Sequence, residues 1–290
     1  MDMKLILQSA VDGILMGGIY GLVAIGLTLI FGVMKIINFA QGSLMMIGMY
    51  VTFWSFEKLG LNPYLSIPLS AICLFVIGVG IQKFILERTI GAPEHNQLLV
   101  TMGIMMVVEN AAMALWSPDP RTISIPSLQE SLHLGELLIN KPRGIAFLVT
   151  IVLTVLLYWF LHKTILGKAI RATSISRDGS SIVGIQVKRI NYITFGIGAA
   201  LAAVAGTLIT PFFYTSPVAG SSFVLKAFIV VVLGGLGNFV GALIGGLLIG
   251  VSEALGGVFL EGSWKELVTF ALFILVLLFR PTGLFGRGGK

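Results

Sequence analysis

The sequence predicts an all-α protein, a polytopic membrane helix bundle of about eight to ten hydrophobic helices with two broken or re-entrant segments. Three observations carry that prediction. Hydrophobic residues make up 56% of the chain and charged residues 11%, at a mean hydropathy of +0.98, which is too little charge to cover a soluble protein. Uncharged runs of roughly 20 residues recur, the length a helix needs to cross hydrocarbon. Two such runs are interrupted by polar or glycine-rich residues, at Asn38–Gly42 and Gly234–Asn238. Residues 1–290 read as a single transmembrane domain. The net charge of +6 comes largely from one central loop and the C-terminal tail, so it reports orientation in the bilayer and not nucleic-acid binding.

Met1–Asp12 is broken by Gln8, Ser9 and Asp12 and ends in no small-residue cleavage pattern, so it reads as an uncleaved lead-in to the first span. Gly13–Met34 follows, with Gly13, Gly17 and Gly21 at spacing four, a flat face for close helix packing. Lys35 ends that run, and Ile36–Phe56 is again uncharged. Asn38, Gln41, Gly42 and Ser43 leave two readings of the link: a broken helix lining a cavity, or a tight interfacial turn. Asn62-Pro63 opens the next span, which holds Cys73 as a packing residue. Leu98–Trp116 carries Glu109, and a carboxylate there costs about 2.5–3.5 kcal/mol. Its position near the end of the span favours a side chain reaching the headgroups over one lining a cavity.

Ser117–Arg143 is proline-rich with balanced charge, as suits an outer loop, and His133 reads as one of its exposed residues. His95 and His162 share no spacing with His133 that would make a metal site, and no cofactor is implied. Gly144–Leu161 then crosses to the basic connection, residues 163–189. It holds Lys163, Lys168, Arg171, Arg177, Lys188 and Arg189 against Asp178 alone, so it belongs on the cytoplasmic side. Within it a helix of about seven residues is expected, capped by Ser176, with Asp178 in its first turn and Gly184 closing it in the left-handed conformation. Gly179, Ser180 and Ser181 are small enough for another surface to approach. An ordinary solvated loop is the competing reading.

Ile190–Leu225 is too long for one span, so its helix is expected to stop near Thr210, before Pro211. Ala199, Ala202, Ala203 and Gly206 give it a small face. Ala227–Ser252 is broken at Gly234-Gly235-Leu236-Gly237-Asn238, which lacks the Lys-Ser or Lys-Thr of a phosphate loop. Because the basic loop and the tail with Arg280, Arg287 and Lys290 share a side, an even number of crossings must separate them. Ala227–Ser252 must therefore enter and return, or cross twice in shortened form, with Glu253, Glu261 and Glu266 outside. Lys226 is expected to reach the outer headgroups, although it could instead attract a substrate carboxylate.

Several of these stretches resemble one family. The segment Gly26–Gly42 (GLTLIFGVMKIINFAQG) closely resembles the first shared block of the branched-chain amino-acid ABC importer permeases. Asp178-Gly179-Ser180 followed by Gly184 is similar to the Glu-Ala-Ala-x-x-x-Gly coupling loop of bacterial ABC importers, with Asp for Glu and Gly179 and Ser180 for the two alanines. Arg280–Gly286 resembles the closing motif of the same permeases. The resemblance implies a bacterial inner-membrane permease docked on cytoplasmic ATPase subunits through Arg177, Asp178, Gly179, Ser180, Ser181 and Gly184. It further implies a second homologous permease subunit and an extracytoplasmic substrate-binding protein.

No enzyme motif and no Walker lysine is present, so energy must come from other subunits. The expected translocation path is weakly polar, with Asn38, Gln41, Gly42, Gly235, Gly237 and Asn238 as candidates; Asn38, Gln41 and Asn238 each have the rival role of capping a helix break. Permeases for urea or short amides belong to the same resemblance. An ion-coupled secondary carrier would need ionisable groups in its spans, and Glu109 is the sole candidate read from sequence. A passive channel would need no docking loop.

Overall fold

The computed structural model describes residues 3–125, 131–134, 137–260 and 264–286. Eleven helices are present among them: α1 (Met3–Met34), α2 (Gln41–Leu59), α3 (Ile67–Phe84), α4 (Glu94–Trp116), α5 (Lys141–Lys163), α6 (Ile165–Ile175), α7 (Arg177–Ile182), α8 (Val187–Ile209), α9 (Ala219–Gly234), α10 (Phe239–Phe259) and α11 (Lys265–Phe279). A short antiparallel hairpin, β1 (Ser131–Leu134) and β2 (Leu137–Asn140), precedes α5. Six helical stretches are long and apolar enough to cross a membrane, and two shorter apolar helices, α9 and α11, accompany them. The chain is a multi-pass membrane protein. Glu130, Glu136, Glu261, Arg287 and Lys290 lie outside the described residues, as does the side chain of His133.

Contacts between distant residues assign the two ends of the bundle. Arg177 donates to the carbonyls of Val33 and Met34, and Lys188 pairs with Glu87 at 3.6 Å. The basic connection therefore sits at the end where α1 and α3 finish. At the other end Gln8 exchanges hydrogen bonds with the Leu138 backbone, and Arg121 pairs with Thr215. The hairpin and the links after α4 and α8 thus share one end, called outer below, and the basic connection marks the opposite end, called inner on the expectation that basic loops stay cytoplasmic. The tail folds back to that inner end: the Leu284 N–H donates to the Leu233 carbonyl at 2.8 Å and that of Phe285 to the Gly234 carbonyl. The basic loop and the described tail share a side, as parity requires.

The core is a seam of bare backbone between α1 and α10. A Cβ on Gly17 would lie 2.6 Å from the Gly246 carbonyl oxygen, and one on Gly250 would lie 2.2 Å from that of Gly13. The spacing-four glycines of both helices therefore face each other, antiparallel, with no side chain between them. Gly241 closes in the same way on Gly234, which lets α9 and α10 form a tight pair entering from outside and returning. The small face of α8 receives α2 and α3: Gly206 meets the Met45 backbone, Ala203 meets Gly48, and Ala199 meets Gly78. α8 ends at Ile209, two residues before Pro211.

The first break lies at membrane depth and is not an interfacial turn. α1 ends with Lys35 in the left-handed region (φ 58°). The chain then rises without helix to Gln41. On the way the Ile37 carbonyl accepts from Thr101, about 10 Å along α4 from its inner end. Gln41 donates to the Gly198 carbonyl at 3.0 Å, about 16 Å along α8. α2 thus starts inside the bundle. The second break, expected from its glycines to lie at membrane depth like the first, differs: Gly237 lies against Gly32, close to the inner end of α1.

Candidate functional site

Two regions hold the polar chemistry, one at each end. The inner one is α7 with its flanks. Ser176 caps it by accepting the Gly179 N–H at 3.0 Å, and Asp178 lies in the first turn. Gly184 has φ +85°, and its N–H donates to the Ser181 carbonyl. The helix is six residues long, Arg177–Ile182, slightly shorter than its capping signals suggested. It stands on α6, an amphipathic helix whose first turn is capped by Thr164 accepting the Gly167 N–H.

The orientation of α7 sorts its residues. Arg177 turns inward, and its guanidinium donates to the Met34 carbonyl at 2.9 Å and the Val33 carbonyl at 3.3 Å. Those carbonyls are among the orphan acceptors at the end of α1, where a cation also meets the negative end of the helix dipole. Ser180 is buried, 3% exposed, so it packs against the bundle and does not offer itself to a partner, contrary to the expectation from its size. Asp178, Gly179, Ser181 and Gly184 face outward. Beside them are two residues that the spacing argument passed over, Ile182 at 84% exposed and Val183 at 74%. Both are large apolar side chains left exposed on the basic loop.

The six path candidates gather at the two breaks, and none of them lines the outer cavity described below. Asn38 and Gln41 are 1% and 0% exposed. Asn38 Oδ1 accepts the Ala40 N–H, and its Nδ2 donates to Gln41 Oε1 at 3.2 Å. Gly42 crosses Gly220 backbone to backbone. Asn238 caps α10 by accepting the Gly241 N–H and donates to the Phe285 carbonyl. Gly235 (φ +97°) and Gly237 (φ +87°) make the turn, and Gly235 presses against Gly286. Asn38 and Asn238 satisfy backbone that the broken helices leave open, whereas Gln41 ties the first break to the middle of α8.

Of the outer region, the sequence offers only Lys226 for meeting a substrate carboxylate, and that as the less favoured alternative to its reaching the headgroups. A cavity of about 530 Å³ opens between the outer halves of α1, α9 and α10. At its floor Lys226 Nζ lies 2.5 Å from Glu253 Oε1 and donates to the Tyr20 hydroxyl at 3.2 Å. Tyr20 in turn donates to Glu253 Oε2 at 2.9 Å. The side chains of Lys226 and Glu253 are only 18% and 12% exposed. Lys226 therefore does not reach the headgroups, and Glu253 is not outside: each finds its neutralising partner on the facing helix, as buried charges must. Nearer the mouth, Arg143 pairs with Asp12 at 3.2 Å, and its guanidinium lies 5.7 Å from the centre of the Phe212 ring. Glu109 also turns into the bundle, where the Ser43 hydroxyl donates to it at 3.4 Å. Glu109 is therefore not the sole ionisable group in the spans. The signal available in sequence was Lys226 itself, a lone cation inside an apolar stretch.

Comparison with known proteins converges on one family. Residues 9–277 match the family model described as branched-chain amino acid transport system / permease component. The high-affinity branched-chain amino acid transport system permease protein BraD of Pseudomonas aeruginosa is 36% identical, covering 97% of this chain and 96% of BraD. The corresponding permease LivH of Escherichia coli K12 is 33% identical with the same coverage. The ribose import permease RbsC of Bacillus subtilis matches 44% of this chain at 35% identity. No solved structure matches. With nearly its whole length aligned, this chain belongs to the branched-chain amino acid transport system permease family.

Proposed function

We propose that this chain is the membrane-spanning subunit of an ATP-driven importer that carries branched-chain amino acids across the bacterial inner membrane. Hydrolysis takes place on two cytoplasmic ATPase subunits, which grip α7. A second homologous permease subunit completes the pathway, and an extracytoplasmic binding protein delivers the substrate to the outer face. The names of BraD and LivH support the substrate class.

One observation carries the coupling role. α7 presents Ile182 and Val183 to the inner side while Arg177 fastens it to the last carbonyls of α1. α1 is in turn fused to α10 along the glycine seam. A push on α7 is thereby passed to the helices that enclose the outer cavity, the rocking form of alternating access. Asp178, Gly179, Ser181 and Gly184 complete the docking face, with Arg177 and Ser180 holding it from behind. Asn38, Gln41, Gly42, Gly235, Gly237 and Asn238 serve the path indirectly, by fixing the two breaks. The test is co-purification: ATPase subunits should accompany the wild-type permease and be lost from Asp178→Arg or Ile182→Glu. Full retention by both variants would refute the docking assignment.

A further inference from the structure

We propose that the outer cavity is a transit subsite for the zwitterionic head of an α-amino acid. Lys226 and the Tyr20 hydroxyl take the α-carboxylate, Glu253 takes the α-ammonium, and the aromatic wall takes an apolar side chain. The identity of the cargo rests on the function proposed above; the head-group chemistry rests on the cavity itself.

The floor of the cavity is a closed ring of three polar groups. Lys226 and Tyr20 each satisfy one oxygen of Glu253, and Lys226 also touches Tyr20. An entering zwitterion exchanges that single ion pair for two, carboxylate to Lys226 and ammonium to Glu253, and adds no net charge to a low-dielectric site. A simple cation or anion would leave one wall charge opposed or unpaired. Tyr20 can redirect its O–H from Glu253 to the incoming carboxylate without moving its ring. The volume, about 530 Å³, falls within the usual range for small-molecule pockets of roughly 300–1,000 Å³. Phe212, Phe213 and Phe223 line one side, and two of these rings meet edge to face at 5.4 Å.

Position and electrostatics favour a transported solute over a lipid headgroup. Tyr20 lies about 21 Å along α1 from its inner end, so the floor is well inside the bundle, while Asp12 and Glu266 stand nearer the helix ends at the mouth. The lining carries the carboxylates Asp12, Glu253 and Glu266 against the cations Arg143 and Lys226. That balance repels an anionic phosphate and tolerates an overall neutral ligand.

Alkylation of a cysteine at the mouth reads occupancy directly. Ser222 lines the cavity and is exposed. The full-length permease carrying Ser222→Cys and Cys73→Ala would be purified with its co-expressed partners into phosphatidylcholine nanodiscs. Leucine at millimolar concentration should slow maleimide labelling at least fivefold. Isopentylamine and 4-methylpentanoate, each with one of the two charges, should not. Glu253→Gln and Lys226→Gln should each abolish protection. The double variant Lys226→Gln/Glu253→Gln leaves no lone buried charge and gives the same readout if a single variant fails to assemble. Equal protection by either one-charge analogue, no protection by leucine, or protection only on adding phosphatidylethanolamine would each overturn the proposal. If the wild-type complex imports no branched-chain amino acid while alanine still protects Ser222→Cys, the branched-chain reading falls and the zwitterion subsite stands.

Discussion

The inner handle and the outer cavity are built on opposite plans. α7 is a local structure: its cap, its acidic first turn and its left-handed stop all lie between Ser176 and Gly184. The cavity floor is assembled from Tyr20, Lys226 and Glu253, the first more than 200 residues from the other two, and exists only once α1 and α10 have closed on their glycines. The handle is exposed and positively charged in its surroundings; the floor is enclosed and internally neutralised. A sequence displays the first kind of site and conceals the second.

The largest effect should come from breaking the enclosed pair from one side only. Lys226→Met leaves Glu253 buried with no counter-charge and only the Tyr20 hydroxyl as donor, and thermal unfolding in detergent should show a loss of about 3 kcal/mol, the low end for a stranded buried charge. Adding Glu253→Gln should recover most of it; no recovery would mean that lost packing, not a stranded charge, sets the cost. Next comes the seam that places the pair. Gly250→Val puts a side chain into the Gly13 backbone and should cost about 1–3 kcal/mol, seen as a lower melting temperature and a lower yield of monodisperse protein.

Changes at the handle should be smaller and confined there. Arg177→Met removes the bonds to the Val33 and Met34 carbonyls. It should cost about 1.5 kcal/mol, the low end for a charged hydrogen bond at a half-exposed site. Hydrogen exchange should rise over residues 177–184 while the α1–α10 seam stays protected. Uptake should fall more than stability does, because the link to α1 is cut. The smallest effect is expected from Gly184→Ala, where no neighbour lies within 4 Å and the cost is conformational alone, about 1 kcal/mol, read as fraying of α7. Faster hydrogen exchange along the α1–α10 seam in either handle variant would erase that contrast.

What could be read from sequence follows the same division. The membrane class, both breaks, the stop before Pro211 and the cap and closure of α7 depend on residues close together in the chain, and each shows itself in composition or spacing. The depth of the first break was not readable, since only Thr101 and Gly198 reveal it. The burial of Ser180 and the inward turn of Arg177 depend on which face of a two-turn helix meets α1, and a helix that short has no periodicity to tell. Lys226 and Glu253 were sent to the water because a charge without a visible partner belongs there. Their partners were on other helices.

The central claim is that α7 is the cytoplasmic grip by which a separate motor moves this gate. Ser181 is exposed on that helix, and Cys73→Ala removes the sequence's single native thiol. In cells carrying Ser181→Cys in that background, a membrane-permeant thiol crosslinker should join the permease to a co-expressed ATPase subunit, and an impermeant maleimide applied outside should leave the cysteine unlabelled. Labelling by the impermeant reagent in intact cells, with no ATPase adduct, would contradict the account.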